Sequence, residues 1–472
     1  MSEARTFEDW QPARLIPVVG IRGQDEQEAR ATSAFLAVLS AVPEFAYGLL
    51  TELGAPHGHI QTFTEVRLKD PDGKVGRPDG AIVVTRGTRT WKALVEVKTG
   101  SGVLTSEQTN RYLDLARDHG FDSVVTISSE ITARPQDIPV AVDRRKTRSV
   151  RLYHLSWWRI TTTAVMEHRH RGIADPDQAW ILGELIAYLD HPNSGASGFQ
   201  DMGSSWVQVR ETARQGTIRG GDPAVRDAAA HWEQLLDYLA LGLSQELGHE
   251  VVPGRPRKQS LQERIEQHVG RVVQTGELAG SLRVPGAVGP VGLIANLRTR
   301  QVTTSVELAA PGEGRQTTRV KWLLRQLRDA DARLRLDASF ANTRETSSVL
   351  LGEAREYPDR LLSGSDARRA IKSFEVALTR GLGLKNGRGA GSFIAETRAQ
   401  LFDFYGEVVQ NLTAWQARAP RLPEVDEAAV VELPPVVIPT AAVGVVTPGE
   451  VLPALDAGTG YGEYVSEADT SE

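Results

Sequence analysis

The sequence predicts an α/β fold: one α/β unit, then a mainly helical stretch, then a second α/β or α+β region. Three observations carry this. Gln24, Glu28, Ala31, Phe35, Val38 and Val42 recur at the three- and four-residue spacing of a helix with one buried face. Short β-type runs separated by turn residues fill positions 61–128. Beyond residue 265, alternating runs return around a further helical pattern.

Taken in order, residues 24–53 read as helix, with Pro43 breaking or kinking the run before EFAYGLLTEL. QTFTEVRL (61–68) reads as a strand and KDPDGKVG as a turn. Strands follow near 79–85 and 91–98, joined by RGTR. A helix over 105–118 opens with Thr105 or Ser106 as its cap. SVVTIS (123–128) and SVRLYHLSWW (149–158) read as further strands. Helices are predicted over 172–190 and 223–246, with 193–199 as loop and PGRPRK (253–258) as a basic linker or surface loop. SLQERIEQHVGRVVQTG reads as helix. GSLRVP, GLIANLRTRQVTTSVELAAP and RLRLDASF supply strands, with the helix RVKWLLRQLRDA between the last two. Residues 365–417 read as helical, interrupted by the glycine-rich GLGLKNGRGAG. Domains are therefore expected over 15–160, 161–260 (helical connection) and 261–420, with a disordered acidic tail over 421–472.

The chain has 472 residues and no cysteine, which excludes disulfides, thiolate catalysis and cysteine-built zinc sites. The segment MSEARTFEDW is charged and has no apolar centre, so no signal peptide is expected. No apolar run reaches the roughly 18 residues of a membrane helix, so a soluble cytoplasmic protein without a membrane partner is expected. The net charge of -6 is uneven. From Leu422 onward there are ten acids and no Lys or Arg, so the preceding residues carry all 54 basic groups and 50 of the 60 acids. A mildly basic body is compatible with a nucleic-acid partner.

The chemistry concentrates in GRPDGAIVVTRGTRTWKALVEVKTG (76–100). With the turn centred between Gly87 and Thr88, Asp79 lies eight positions before Gly87 and Glu96 eight after Thr88. Residues equidistant from a hairpin's centre face one another, so the two carboxylates share one sheet face. Lys98, two along from Glu96, joins them, while Ala93, Val95 and Val97 point into a core. Two facing anions need compensation. Lys98 offsets part of the charge and a divalent cation would offset more. Hard oxygen ligands without His or Cys suit Mg²⁺ or Mn²⁺, with the Val97 carbonyl as a further oxygen. A metal-bound water beside a lysine is an attacking group for phosphodiester hydrolysis.

RPD (77–79), sixteen residues, then EVK (96–98) resembles the PD-(D/E)XK nuclease superfamily. The predicted order of elements is similar to its restriction-endonuclease-like αβββαβ core. The resemblance implies that Asp79 and Glu96 are metal ligands and that Lys98 positions or activates the water. It implies the same metal site for Glu28, which shares the stripe of Ala31 and Phe35. Gln108 and Tyr112 resemble the Q-x-x-x-Y element of the exonuclease and RecB-like branch, where the pair lies near the metal and the substrate phosphate. The resemblance covers about residues 20–160.

Other candidates carry less. Arg144, Arg145, Lys146 and Arg148, with Arg151 beyond, form the densest basic run and are expected, with Arg77, to contact phosphates. Glu167-His168-Arg169-His170 lacks a partner at metal spacing and reads as a polar surface turn. Trp157 and Trp158 read as core residues, and RVKWLLRQLRD as a helix covering the second sheet. The expected function is a Mg²⁺- or Mn²⁺-dependent DNA nuclease of repair, restriction or anti-phage defence, with partner proteins or a homo-oligomer left open. The alternatives are a non-catalytic nucleic-acid-binding or assembly protein on the same scaffold and an RNA-processing nuclease.

Overall fold

A two-residue turn at Gly87–Thr88, with Gly87 at φ 57, folds the chain back on itself and sets the register of the first sheet. The structure, a computed structural model, describes residues 15–16 and 23–416, apart from 133, 197, 200, 257, 363–368, 386 and 388. The expected acidic tail lies outside the described residues. The first sheet contains β1 (His59–Thr64), β4 (Gly80–Arg86), β5 (Arg89–Val97), β6 (Ser123–Ser128) and β7 (Arg151–Ser156), in that spatial order. β1, β4 and β5 run antiparallel, and β5, β6 and β7 parallel. A small hairpin of β2 (Leu68–Lys69) and β3 (Val75–Gly76) lies between β1 and β4 in the chain.

Helices cover both faces of this sheet. On one face, α1 (Gln24–Ala41) and α2 (Pro43–Leu50) pack Phe35, Leu39 and Phe45 against Ala93, Val95 and Val97. Pro43 starts α2 as its first residue. On the other face, α3 (Ser106–Asp118) packs Tyr112, Leu113 and Leu115 against Ala81, Leu94 and Val124. The Thr105 hydroxyl accepts from the Gln108 N–H at 3.2 Å, which settles the cap. The expected strand to Trp158 ends at Ser156, whose side chain caps α4 (Trp157–Val165). Trp157 is fully buried, as a core residue. Residues 166–171 correct another expectation: Met166–Arg171 is a π-helical turn continuing α4, with Glu167 buried. α5 (Pro176–Leu189) follows, capped by Asp175.

The second sheet has seven antiparallel strands: β8 (Val252–Pro253), β9 (Glu277–Arg283), β10 (Val291–Asn296), β11 (Gln301–Ala309), β12 (Arg335–Phe340), β13 (Thr346–Leu350) and β14 (Ile371–Gly381). Their spatial order is β13-β12-β14-β11-β10-β9-β8. Val302, Thr304, Val306 and Leu308 of β11 are buried while their alternates are not, the signature of a sheet packed on one face. The helical expectation for 365–417 fails at β14, which lies between β11 and β12. Phe374, Val376, Ala377 and Leu378 are all buried there, so the run has no clean alternation to mark it as a strand. Helices α6 (Trp206–Gln215), α7 (Pro223–Leu247), α8 (Leu261–Thr275), α9 (Gln316–Gln326), α10 (Leu351–Glu356) and α11 (Phe393–Glu407) complete the region. α6 is an addition to the elements expected from the sequence. α9 buries Val320 and Leu323 against the second core, as its amphipathic pattern predicts.

The 25-residue α7 joins the two regions. The Trp158 indole N–H donates to the Tyr238 carbonyl at 3.1 Å, and that of Trp232 to the Ala279 carbonyl at 3.1 Å. A buried ion cluster locks α7 to α8. Glu233 accepts from Arg255 at 2.9 Å, Arg264 at 2.7 Å and His268 at 2.9 Å, and Arg255 also reaches Asp237. Arg255, expected in a linker, is therefore part of the interior.

Candidate active site

Extending the β4–β5 register by one residue sets Asp79 opposite Glu96, as the turn arithmetic predicts. The pair lies on the α3 face, with Ala81 and Leu94. Glu96 is in register with Thr126, and Thr126 with His154. Asp79 leaves the ladder but is held by it: its Oδ2 accepts from the Val97 N–H at 2.7 Å. A strand residue's N–H and C=O project to the same edge, so the Val97 carbonyl lies on the flank of Asp79.

Lys98 is the centre of the charged group. Its Nζ lies 2.9 Å from Glu96 Oε1 and 3.3 Å from Glu28 Oε2. The Trp157 indole donates to the Lys98 carbonyl at 2.9 Å, fixing the backbone where β5 ends. Glu28 enters from the first turns of α1, and Gln24 on the preceding turn donates to its Oε1 at 3.0 Å. Gly102 closes this corner: a Cβ there would lie 2.8 Å from Glu28 Oε1 and 3.0 Å from the Thr99 carbonyl.

From α3, the Gln108 amide donates to Glu96 Oε1 at 2.5 Å and also meets Tyr112 Oη at 3.5 Å. The Tyr112 hydroxyl donates to the Arg77 carbonyl at 3.0 Å. The two residues stand beside the carboxyl pair, yet their donors are engaged within the protein. They orient Glu96 and the Arg77–Asp79 segment.

The electrostatics follow from burial and crowding. Burial pushes the Glu96 carboxyl up to about 8, with the charge of Asp79 adding and Lys98 opposing. Asp79 is also raised, by burial and by Glu28, against the Val97 N–H and Lys98. Burial alone would lower Lys98, but Glu96, Glu28 and Asp79 outweigh it and hold the ammonium above its ordinary value. Burial, with Glu96 next, raises the Tyr112 phenol to about 12, so it remains a donor. His154 is fully buried, bonded to Thr126 Oγ1 and the Glu130 carbonyl, and burial lowers it to about 4. It is a neutral packing residue.

The donor set fits a hard cation in part. Asp79 and Glu96 are adjacent carboxyls close enough to share a hydrogen bond, and Glu96 Oε2 has no other partner. A buried carboxyl pair of that kind is compensated by a shared proton or by a cation. Glu28 differs from expectation: Lys98 stands between it and Glu96. Among the described residues no three Asp, Glu or His side chains are gathered closely enough to enclose an ion.

The basic candidates divide. Arg77 is exposed beside Asp79. Arg144, Arg145 and Arg148 are on the loop before β7, whereas Lys146 is tied to Asp114 at 2.5 Å. Arg151 is level with Ala93, three residues short of the Glu96 row and two strands away. That places the Arg151 backbone about 14 Å from the Glu96 backbone. Gln24 and Gly102 are site residues that the sequence does not single out; the one signal for Gln24 is its position one turn before Glu28.

No single helix among the described residues is long and apolar enough to cross a membrane. No protein-family model, no curated protein and no solved structure matches the chain.

Proposed function

We propose that the chain is a divalent-cation-dependent nuclease acting on DNA, with a restriction-endonuclease-like core formed by α1, β1, β4, β5, α3 and β6. The observation that carries this reading is the meeting of Asp79 and Glu96 on one sheet face with the Lys98 amine against them. The order helix, three strands, helix, strand supports it.

Asp79, Glu96 and the Val97 carbonyl would hold Mg²⁺ or Mn²⁺. When bound, such an ion supplies a water of lowered pKa and neutralises charge at the scissile phosphate. Lys98, held protonated by its acidic neighbours, acts as a donor and positive charge that orients a phosphate oxygen or the attacking water. Gln108 fixes Glu96, and Gln24 fixes Glu28 on the far side of Lys98. The arginines around 144–151, with Arg77, would lie along the phosphate backbone.

One observation favours a second reading, a non-catalytic nucleic-acid-binding protein. Glu28 is engaged by Lys98 and does not complete a three-carboxylate site. Cleavage of linear, circular and single-stranded DNA and of RNA, with Mg²⁺ or Mn²⁺, separates the readings. The nuclease reading expects metal-dependent DNA cutting that Asp79→Ala and Lys98→Ala abolish while both variants keep the wild-type circular dichroism spectrum. Equal activity in all three proteins, or none in any, overturns it. Cutting of RNA alone assigns the RNA-processing alternative.

A further inference from the structure

Phe63 is a large aromatic side chain left 48% exposed within the first sheet. It lies on β1, the edge strand, opposite Ala81 of β4. It therefore shares the face of Ala81, which is also the face of Asp79, Glu96 and α3. Ala81 is two residues along β4 from Asp79, so one strand spacing and two residue rises separate Phe63 from Asp79, about 8 Å. That is the span of one to two nucleotides along a strand.

The surroundings are mixed in charge, with cations in excess. The exposed Glu65 lies two residues from Phe63, its N–H on the Asp79 carbonyl at 3.2 Å, while Arg67, Lys69 and Arg77 are exposed farther along the β1–β4 connection and none of the three pairs with an acid among the described residues. The acids Asp70 and Asp72 lie at the far tip of the β2–β3 hairpin, and Asp70 caps the Lys74 N–H there. Aromatic faces interleaved with cations hold single-stranded nucleic acid, the base stacking on the ring and the phosphates meeting the charges. Paired bases stack on their neighbours within a duplex and offer no free face to such a ring. A second copy of the chain adding a strand to β1 fits less well. Glu65 turns to φ 53 and stops the strand at Thr64, which leaves a short edge for a second strand to pair with.

We infer that Phe63 is a stacking platform for an unpaired nucleobase beside the bond to be cut, so that the substrate is single-stranded or frayed DNA. This rests on the nuclease reading above and names its substrate class. The test reads binding rather than cutting. Fluorescence anisotropy of a labelled oligonucleotide, in chelator, compares wild type with Phe63→Ala and Phe63→Trp, on single strand and on duplex. Phe63→Ala is expected to weaken single-strand binding roughly 5- to 100-fold, the worth of one base–aromatic stack. Phe63→Trp should retain binding, and duplex binding should change by less than about two-fold. Single-strand binding within about two-fold of wild type in Phe63→Ala, equal losses on both DNAs, or no single-strand binding by wild type overturns the inference. So does a change of oligomeric state in Phe63→Ala by light scattering with unchanged DNA binding, which would make β1 a contact between copies. A protein that binds through Phe63 but never cuts would remove the nuclease reading and leave the stacking platform.

Discussion

Replacing Glu233 with glutamine tests whether the ion cluster between α7 and α8 holds the two sheet regions together. Glu233 is 3% exposed and accepts from Arg255, Arg264 and His268. Burial alone would raise its carboxyl, but His268, Arg255 and Arg264 outweigh it and lower it from 4.5 to about 2. That difference corresponds to roughly 3 kcal/mol of folded-state preference for the ionised form. Because the folded value lies below the unfolded one, this contribution is fully present above pH 4.5 and is lost as pH falls towards 2. The Glu233→Gln side chain would retain shape and one acceptor but leave Arg264 without its anion, a change that costs about 3–5 kcal/mol in buried pairs. Part is returned through Asp237. Its carboxyl is pushed up to about 6 by burial and, against Arg255, by the charge of Glu233. Removing that charge lets Asp237 ionise more readily beside Arg255. The net expectation at pH 7 is a loss of about 3 kcal/mol, or roughly 0.5 M in the urea midpoint, because the urea dependence of a chain this long exceeds the 1–3 kcal/mol per M of small proteins. Tryptophan fluorescence reads it, since Trp232 is the adjacent residue in α7. The difference between the two proteins should shrink as pH drops below 4.5. A loss under about 1 kcal/mol at pH 7, or one that is constant from about pH 7 to pH 3, would refute the assignment of Glu233 as the anion of the cluster.

Two further changes probe the candidate site. Gly102→Val drives a side chain into Gln24, Glu28 and the Thr99 carbonyl, so Lys98 keeps Glu96 but loses Glu28 as its second anchor; DNA cleavage should fall at least about ten-fold with the melting temperature nearly unchanged. Gln108→Leu removes the amide from Glu96 Oε1 and leaves Lys98 and Asp79 as its partners; cleavage should fall about 10- to 100-fold, with the loss in the catalytic rate rather than in DNA binding.

The hairpin is legible in the sequence because its register depends on arithmetic alone. A two-residue turn with a glycine at positive φ fixes which residues face, and Asp79 and Glu96 follow. Glu28 is legible through its place on the apolar stripe of α1. What the stripe does not say is that Lys98 lies between Glu28 and Glu96, since that depends on how α1 seats on the sheet. β14 escapes a reading by periodicity because a strand with buried neighbours on both sides loses its alternation and resembles a buried helix. α4 escapes it because Ser156-Trp157-Trp158 carries aromatic residues typical of strands, while the cap at Ser156 starts a helix. The Glu233 cluster joins residues up to 35 positions apart, and nothing local marks Arg255 as interior.

The carboxyl pair's grip on a divalent ion is the centre of this account, and electron paramagnetic resonance of Mn²⁺ measures it directly. The titration is run with a phosphorothioate oligonucleotide present, because a substrate phosphate completes the shell of such ions. Saturable uptake by the wild-type chain that disappears in Asp79→Asn is the predicted result. No saturable uptake by the wild type, or uptake undiminished in Asp79→Asn, would contradict it.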